Sequence, residues 1–159
     1  MRSPAQVAAL CAAFVIALSI VSGASAAVFS RTSESRIIGA MNRVRVAHGL
    51  RPLRIVEKLH AAARAHSADM IRRGYFGHGA FARRMDGYGV QARVVGENLA
   101  WGNGVYGTAN MIVHEWLMSP EHRANLLRPG FSTVGVGSAV GPFAGTRAVV
   151  VTADFAGTY

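Results

Sequence analysis

The sequence predicts an α+β domain in which helices cover a small, mostly antiparallel sheet. Between Arg36 and Leu127, apolar residues recur at three- and four-residue spacing in several segments, the period of a helix with one buried face. From Phe131 onward the pattern changes to Val- and Thr-rich runs with partial alternation, the mark of strands. The single cysteine, Cys11, lies in an N-terminal apolar run. The remainder therefore has no thiol, which excludes Cys-based catalysis, a disulfide framework and a Cys zinc site.

Residues 1–26 read as a cleaved secretory signal. Arg2 precedes an apolar run from Val7 to Val21, and Ala24-Ser25-Ala26 supplies the small residues of a cleavage site. That run is short of the roughly 20 apolar residues a membrane-spanning helix needs. Cys11 falls inside the run, where a lipidated cysteine would stand at its end. Residues 27–35 form a short polar lead and residues 36–159 one domain, long enough to bury a core. The expected location is extracytoplasmic, in a periplasm or outside the cell, with no transmembrane span in the mature chain.

The formal net charge is +9, and Lys58 is the only lysine among 17 basic residues. A basic exported surface is attracted to anionic envelope polymers or lipid head groups. A solvated, Arg-rich surface that reflects base composition accounts equally for the charge. Nucleic acid is not expected as a partner, because the chain carries neither a recognised binding motif nor basic-aromatic alternation.

The elements follow in order. Within the lead, Thr32 or Ser33 is suited to cap a helix. Ile37, Met41 and Val44, with Ile38 beside them, form the apolar stripe of a helix from Arg36 to Ala47, which Gly49 ends and Pro52 cannot continue. Asn42 and Arg45 lie off that stripe and are expected at the surface or in a cap. A second helix, Val56 to Arg73, carries Leu59, Ala63, His66 and Met70 on one face, and Gly74 ends it. Its alanines favour helix and let a neighbour approach closely. His66 reads as a hydrogen-bonded core histidine.

Residues 74–79 form a Gly-rich loop that presents His78, and Phe81 to Gly89 a short helical turn. Gly96-Glu97-Asn98 reads either as a fixed polar pair at a core edge or as a helix start. The Gly102–Gly107 loop leads to Thr108, an N-cap for the helix Ala109 to Met118, with Ile112 and Trp116 buried and Glu115 at the border of that stripe. Ser119-Pro120 ends this helix and caps a short one that carries His122 in its first turn. Phe131–Val140 and Arg147–Phe155, joined by Gly141–Thr146, read as a β-hairpin. Before it, only a short strand at Arg93–Val95 is expected.

Taken together, these pieces resemble the CAP superfamily, the SCP or pathogenesis-related-1-like domain, in its short bacterial form. The resemblance covers Ile37 to Phe155. It rests on Asn42-x-x-Arg45, Leu53 and Leu59 with the Ala-rich helix, His78, Gly96-Glu97-Asn98-Leu99-Ala100, Trp116, the run Ser119 to Leu127, and Val134-Gly135-Val136-Gly137. It implies a three-layer α-β-α sandwich with a central cleft that in many members holds two His and two Glu, and in some a divalent cation, often zinc. Carried over by position, His78 and His122 are the histidines and Glu97 the first glutamate. Where the family's second glutamate stands, three residues after the helix Trp, this chain has Ser119, and neither Glu115 nor Glu121 matches the motif.

Two imidazoles and a carboxylate at His78, His122 and Glu97 suit Zn²⁺ or another divalent cation, with a position left for water. The same three groups also suit a hydrogen-bonded network without metal. The implied function is a secreted protein whose cleft, with Asn98, Glu115 and Ser119, binds an extracellular small molecule, a lipid or an envelope component. No catalytic residue is assigned. The rivals are a metal-dependent hydrolase of peptide or cell-wall bonds and an adhesion module that uses the basic surface.

Overall fold

A computed structural model of the chain describes residues 28, 29 and 31–157. The expected signal, residues 1–26, lies outside the described residues. The elements run β1 (Val28–Phe29), α1 (Arg31–Ala47), β2 (Arg54–Ile55), α2 (Glu57–Arg73), α3 (Phe81–Gly87), β3 (Val94–Gly102), α4 (Ala109–Met118), α5 (Pro120–Leu126), β4 (Thr133–Phe143) and β5 (Thr146–Gly157). A 3₁₀ turn, Gly104–Gly107, leads into α4.

The sheet has the order β1-β4-β5-β3, with the short β2 parallel to β4 and the other pairings antiparallel. Helices α1, α4 and α5 cover one face and α2 the other, so the architecture is the expected α-β-α sandwich. Strand alternation divides two cores. Val134, Val136, Val151, Ala153 and Phe155 pack with Ile37, Met41, Ile112, Trp116, Leu126 and Phe131 on the α1/α4 side. On the α2 side, Ala139, Val150 and Leu99 meet Met70 and Ile71.

Helix α2 lies almost on the backbone of β4. A Cβ on Gly135 would stand 2.1 Å from the His60 amide nitrogen, and one on Gly137 would stand 2.2 Å from that of Arg64. The small residues of Val134-Gly135-Val136-Gly137 and Ala62-Ala63 are what let helix and strand close to this distance. Ser67 Oγ then donates to the Gly137 carbonyl at 3.0 Å.

Several elements differ from the sequence expectation. Helix α1 begins at Arg31, inside the expected polar lead, because Glu34 is buried and paired with Arg64 at 2.6 Å. Arg45 is 1% exposed, against the expected surface position. Its guanidinium donates to the carbonyls of Arg51, Leu126, Arg128 and Phe131, which ties α1 to the segment after α5. Asn42 is half-buried and bonds the backbone of Leu53 in both directions. The β4–β5 hairpin closes through Ala144 and Gly145, both at positive φ, so its loop is shorter than Gly141–Thr146.

The main correction concerns β3. The sequence predicts only a short strand before the hairpin and leaves Gly96-Glu97-Asn98 open to a helix start. Instead β3 spans nine residues, paired with β5 from Val94↔Gly157 to Gly102↔Val149. Glu97 and Asn98 are both buried, one on each face, so the polar-apolar alternation that marks a half-buried strand is absent.

Candidate functional site

Strand β3 is the outermost strand of its side of the sheet, and the site is built around it. Gly96 makes room for the Phe131 ring, whose Cζ would lie 2.7 Å from an added Cβ. Glu97 then points to the α2 face and Asn98 to the α5 face. The free edge is closed from the second face. Trp116 Nε1 donates to the Leu99 carbonyl at 2.9 Å and Asn125 Nδ2 to the Glu97 carbonyl at 3.1 Å. Asn98 Nδ2 donates to the His122 carbonyl at 2.9 Å, which fixes the start of α5 against the strand.

On the α2 face, Glu97 Oε1 is 2.7 Å from His78 Nδ1, so the loop histidine and the strand carboxylate meet as expected. The other oxygen, Oε2, accepts from Arg84 Nη2 and lies 3.8 Å from His66 Nε2. His66 is buried and its Nε2 is 3.0 Å from the Gly77 carbonyl, in keeping with a core histidine, yet it borders the site. Directly across the strand pair from Glu97 stands Asp154, wholly buried, with Arg84 Nη2 3.9 Å from its Oδ1.

Burial is the largest influence on this cluster. It raises Glu97 to about 7, against the lowering charge of Arg84. It raises Asp154 to about 8, helped by the neighbouring Glu97 charge. It lowers His66 to about 4, with the Arg84 charge adding to the effect. Two carboxylates beside one guanidinium hold a proton between them near neutral pH. That proton gives Asp154, whose oxygens otherwise have no hydrogen-bond partner, a donor toward Glu97.

On the other side of β3, His122 Nδ1 is 2.9 Å from Ser119 Oγ. Ser119 occupies the N-cap position of α5 without a side-chain cap bond, so its hydroxyl serves His122 and not the helix end. Burial and then the charge of His78 lower the His122 pKa. Glu115 is exposed on the rim of the cleft.

That cleft measures about 700 Å³ and opens along the β3 edge. Phe76, Trp101 and Tyr106 give it aromatic walls, and Glu115, Ser119 and His122 give it polar ones. Trp101 and Tyr106 are 43% and 61% exposed, which is unusual for rings of that size away from a binding surface.

The residue types at His78, His122 and Glu97 suit zinc, and the hydrogen bonds at the two Nδ1 atoms leave each imidazole's Nε2 as the nitrogen able to ligate. Both Glu97 oxygens are taken, one by His78 and one by Arg84, and His122 Nδ1 is held by Ser119. Among the described residues no three His, Asp or Glu side chains are grouped to hold a metal ion. Sequence reasoning misses Arg84 and Asp154. The available signal for Asp154 is a lone acid inside an apolar strand, whereas Arg84 sits in a short helix beside Arg83 and close to Asp86 and carries no such mark.

Residues 38–155 match the family model of the cysteine-rich secretory protein family, CAP. The chain is 37% identical over 109 residues to the uncharacterized protein YkwD of Bacillus subtilis, a match that covers 65% of this chain and 41% of YkwD. An extracellular protein containing an SCP domain from Bacillus anthracis superimposes with a TM-score of 0.63 at 27% identity, over 78% of this chain and 40% of that one. An outer surface protein of Borrelia burgdorferi superimposes at 0.68 with 18% identity, over 82% of this chain and 97% of that one, and shares the fold. The chain thus spans less than half the length of YkwD and of the Bacillus anthracis protein. With the sandwich, the Gly96-Glu97-Asn98 strand and the Ser119–Leu127 segment meeting as they do, and with the family model matching across all of them, this chain belongs to the CAP family.

Proposed function

We propose that the chain is an exported CAP-domain protein that binds an extracellular ligand, a lipid or an envelope component, in the cleft along β3. The observation that carries this reading is the cleft itself: about 700 Å³, walled by half-exposed aromatic rings, with His122, Ser119 and Glu115 on its polar side. Pockets of this size and mixed lining are where small ligands bind. The extracellular and outer-surface relatives support export, and no described helix is long and apolar enough to cross a membrane.

Trp101 is a natural reporter, since the other tryptophan, Trp116, is buried. In a Trp116→Phe background, titration with a long-chain fatty acid and with envelope-glycan fragments should shift Trp101 emission for one of the two. The shift should vanish in Tyr106→Ala. No shift with either probe rejects the cleft as the binding site. Chelator-sensitive turnover of a peptide or cell-wall substrate, lost in both His78→Ala and Glu97→Ala, would instead establish the hydrolase.

A second reading, attachment to an anionic envelope polymer, has its own support. A groove of about 750 Å³ between α1 and the start of α4 is lined by Arg31, Arg36 and Arg43, with no acidic residue in its walls. Binding of a linear polyphosphate should weaken steeply with salt and drop in Arg36→Glu/Arg43→Glu. Binding unchanged by that double variant removes this reading.

A further inference from the structure

The cleft along β3 differs in charge from the rest of the molecule. The chain carries 17 basic residues against 8 acidic ones. Yet among the described residues that line the cleft none is lysine or arginine, and Glu115 supplies the only carboxylate. A fatty-acid carboxylate, a phospholipid head group or a phosphate-rich polymer would bring negative charge to a wall that already holds one and offers no facing cation. The groove walled by Arg31, Arg36 and Arg43 suits such anions instead.

The lining is also divided by kind. Phe76, Trp101 and Tyr106 are large rings left well exposed. Buried Phe143 meets Trp101 at 5.5 Å and Phe76 at 6.4 Å between ring centroids, both in edge geometry, so two of these rings are braced before a ligand arrives. The polar side is fixed as well. The 2.9 Å contact between Ser119 Oγ and His122 Nδ1 sets the imidazole and leaves its Nε2 for a ligand. Asn103 Nδ2 donates to Thr146 Oγ1 at 3.3 Å, and both residues line the cleft. A lipid with one polar head brings too few partners for an acid, an imidazole and an amide, and groups left unpaired on binding cost affinity. A pyranose ring answers both sides. It has C–H groups over a face that packs on an aromatic ring, and hydroxyls around its rim that donate to a carboxylate and pair with an imidazole or an amide.

Resting on the reading that this cleft is the binding site, we infer that its ligand is an uncharged oligosaccharide of hexose or N-acetylhexosamine units. The sugar rings stack on Trp101 and Tyr106, and Glu115 and His122 take their hydroxyls.

The test is calorimetric titration of the whole protein with cellotetraose, with the N-acetylglucosamine tetramer and with palmitate. One or both tetrasaccharides should bind, and which of them does so tells whether acetamido groups are read. Affinity should fall about tenfold or more in Trp101→Ala and in Glu115→Ala. It should keep its wild-type value in Tyr88→Ala, which removes an exposed ring outside the cleft, and should not change with added salt. Glu115 is exposed, so its variant carries the test even if Trp101→Ala does not fold. Palmitate binding that Trp101→Ala abolishes, with neither tetrasaccharide bound, overturns the sugar assignment and leaves the cleft as a binding site. Tetrasaccharide binding unchanged in both variants overturns it too, by placing the sugar elsewhere. No binding of any of the three probes rejects the sugar and the cleft together.

Discussion

Asp154 lies directly across from Glu97 on the neighbouring strand, and both carboxylates face α2 with Arg84 as their shared cation. The pair is a proton-holding unit inside the sandwich, and its titration reaches into the stability of the fold.

Folded, Asp154 and Glu97 titrate near 8 and 7, against ordinary values of 3.8 and 4.5. A carboxyl with a raised pKa contributes its full stabilisation below the ordinary value and loses it as pH rises through the raised one. His66 runs the other way: lowered from 6.5 to about 4, its contribution is present above 6.5 and lost as pH falls. The two effects oppose each other below 6.5, and only the carboxyl pair acts above it. Stability is therefore expected to fall from pH 6.5 to about 8.5, at about 1.4 kcal/mol per pH unit for each excess proton the folded pair still holds. Asp154→Asn should flatten the slope and melt higher than wild type at the alkaline end. A wild-type melting temperature level across this range would falsify the linkage.

Trp116 is 1% exposed and bonds the Leu99 carbonyl. Trp116→Ala is expected to cost about 3–5 kcal/mol. Trp116→Phe, which keeps most of the packing and loses the bond, should cost about 1–2 kcal/mol. Urea unfolding of the three proteins separates packing from hydrogen bonding; equal midpoints for Ala and wild type would contradict the buried assignment.

Gly135→Ala should destabilise by about 3 kcal/mol or more, at the upper end for overpacking. The added carbon meets the backbone of α2, which cannot rotate aside as a side chain can. Gly145→Ala, where no atom lies within 4 Å of the new carbon, tests the contrast, since only the positive φ of 75° resists it. If Gly135→Ala melts no lower than Gly145→Ala, the helix does not press on the strand at this point.

Arg45→Lys keeps the charge but cannot reproduce a fork that serves four carbonyls. A loss of about 2 kcal/mol is expected, with amide exchange around Leu126 to Phe131 rising more than elsewhere. Exchange that rises evenly over the domain would mean that Arg45 does not anchor this segment.

Much of the fold is legible in the sequence because helical periodicity survives wherever one face is buried: α2 and α4 end where Gly74 and Ser119-Pro120 say they should. Strand β3 is not, because burial of a carboxylate and an amide on opposite faces erases the two-residue alternation. Arg45 escapes for a related reason, since three of its four carbonyl partners, Leu126, Arg128 and Phe131, are more distant in the chain than any local pattern records. At the site, the contact between His78 and Glu97 is legible from the family pattern. The partners Arg84 and Asp154 are not, because they arrive from a short helix and from the last strand, and only the folded sheet places them together.

The Trp116 and Asn125 side chains occupy carbonyls on the outer rim of β3. Those carbonyls are what a foreign strand would need in order to zip onto the sheet. Another chain that approaches this rim meets acceptors already spent on indole and amide, so growth by strand addition stalls there. Trp116, which lines the groove, and Asn125 beside it thus also keep an outermost strand from seeding aggregates.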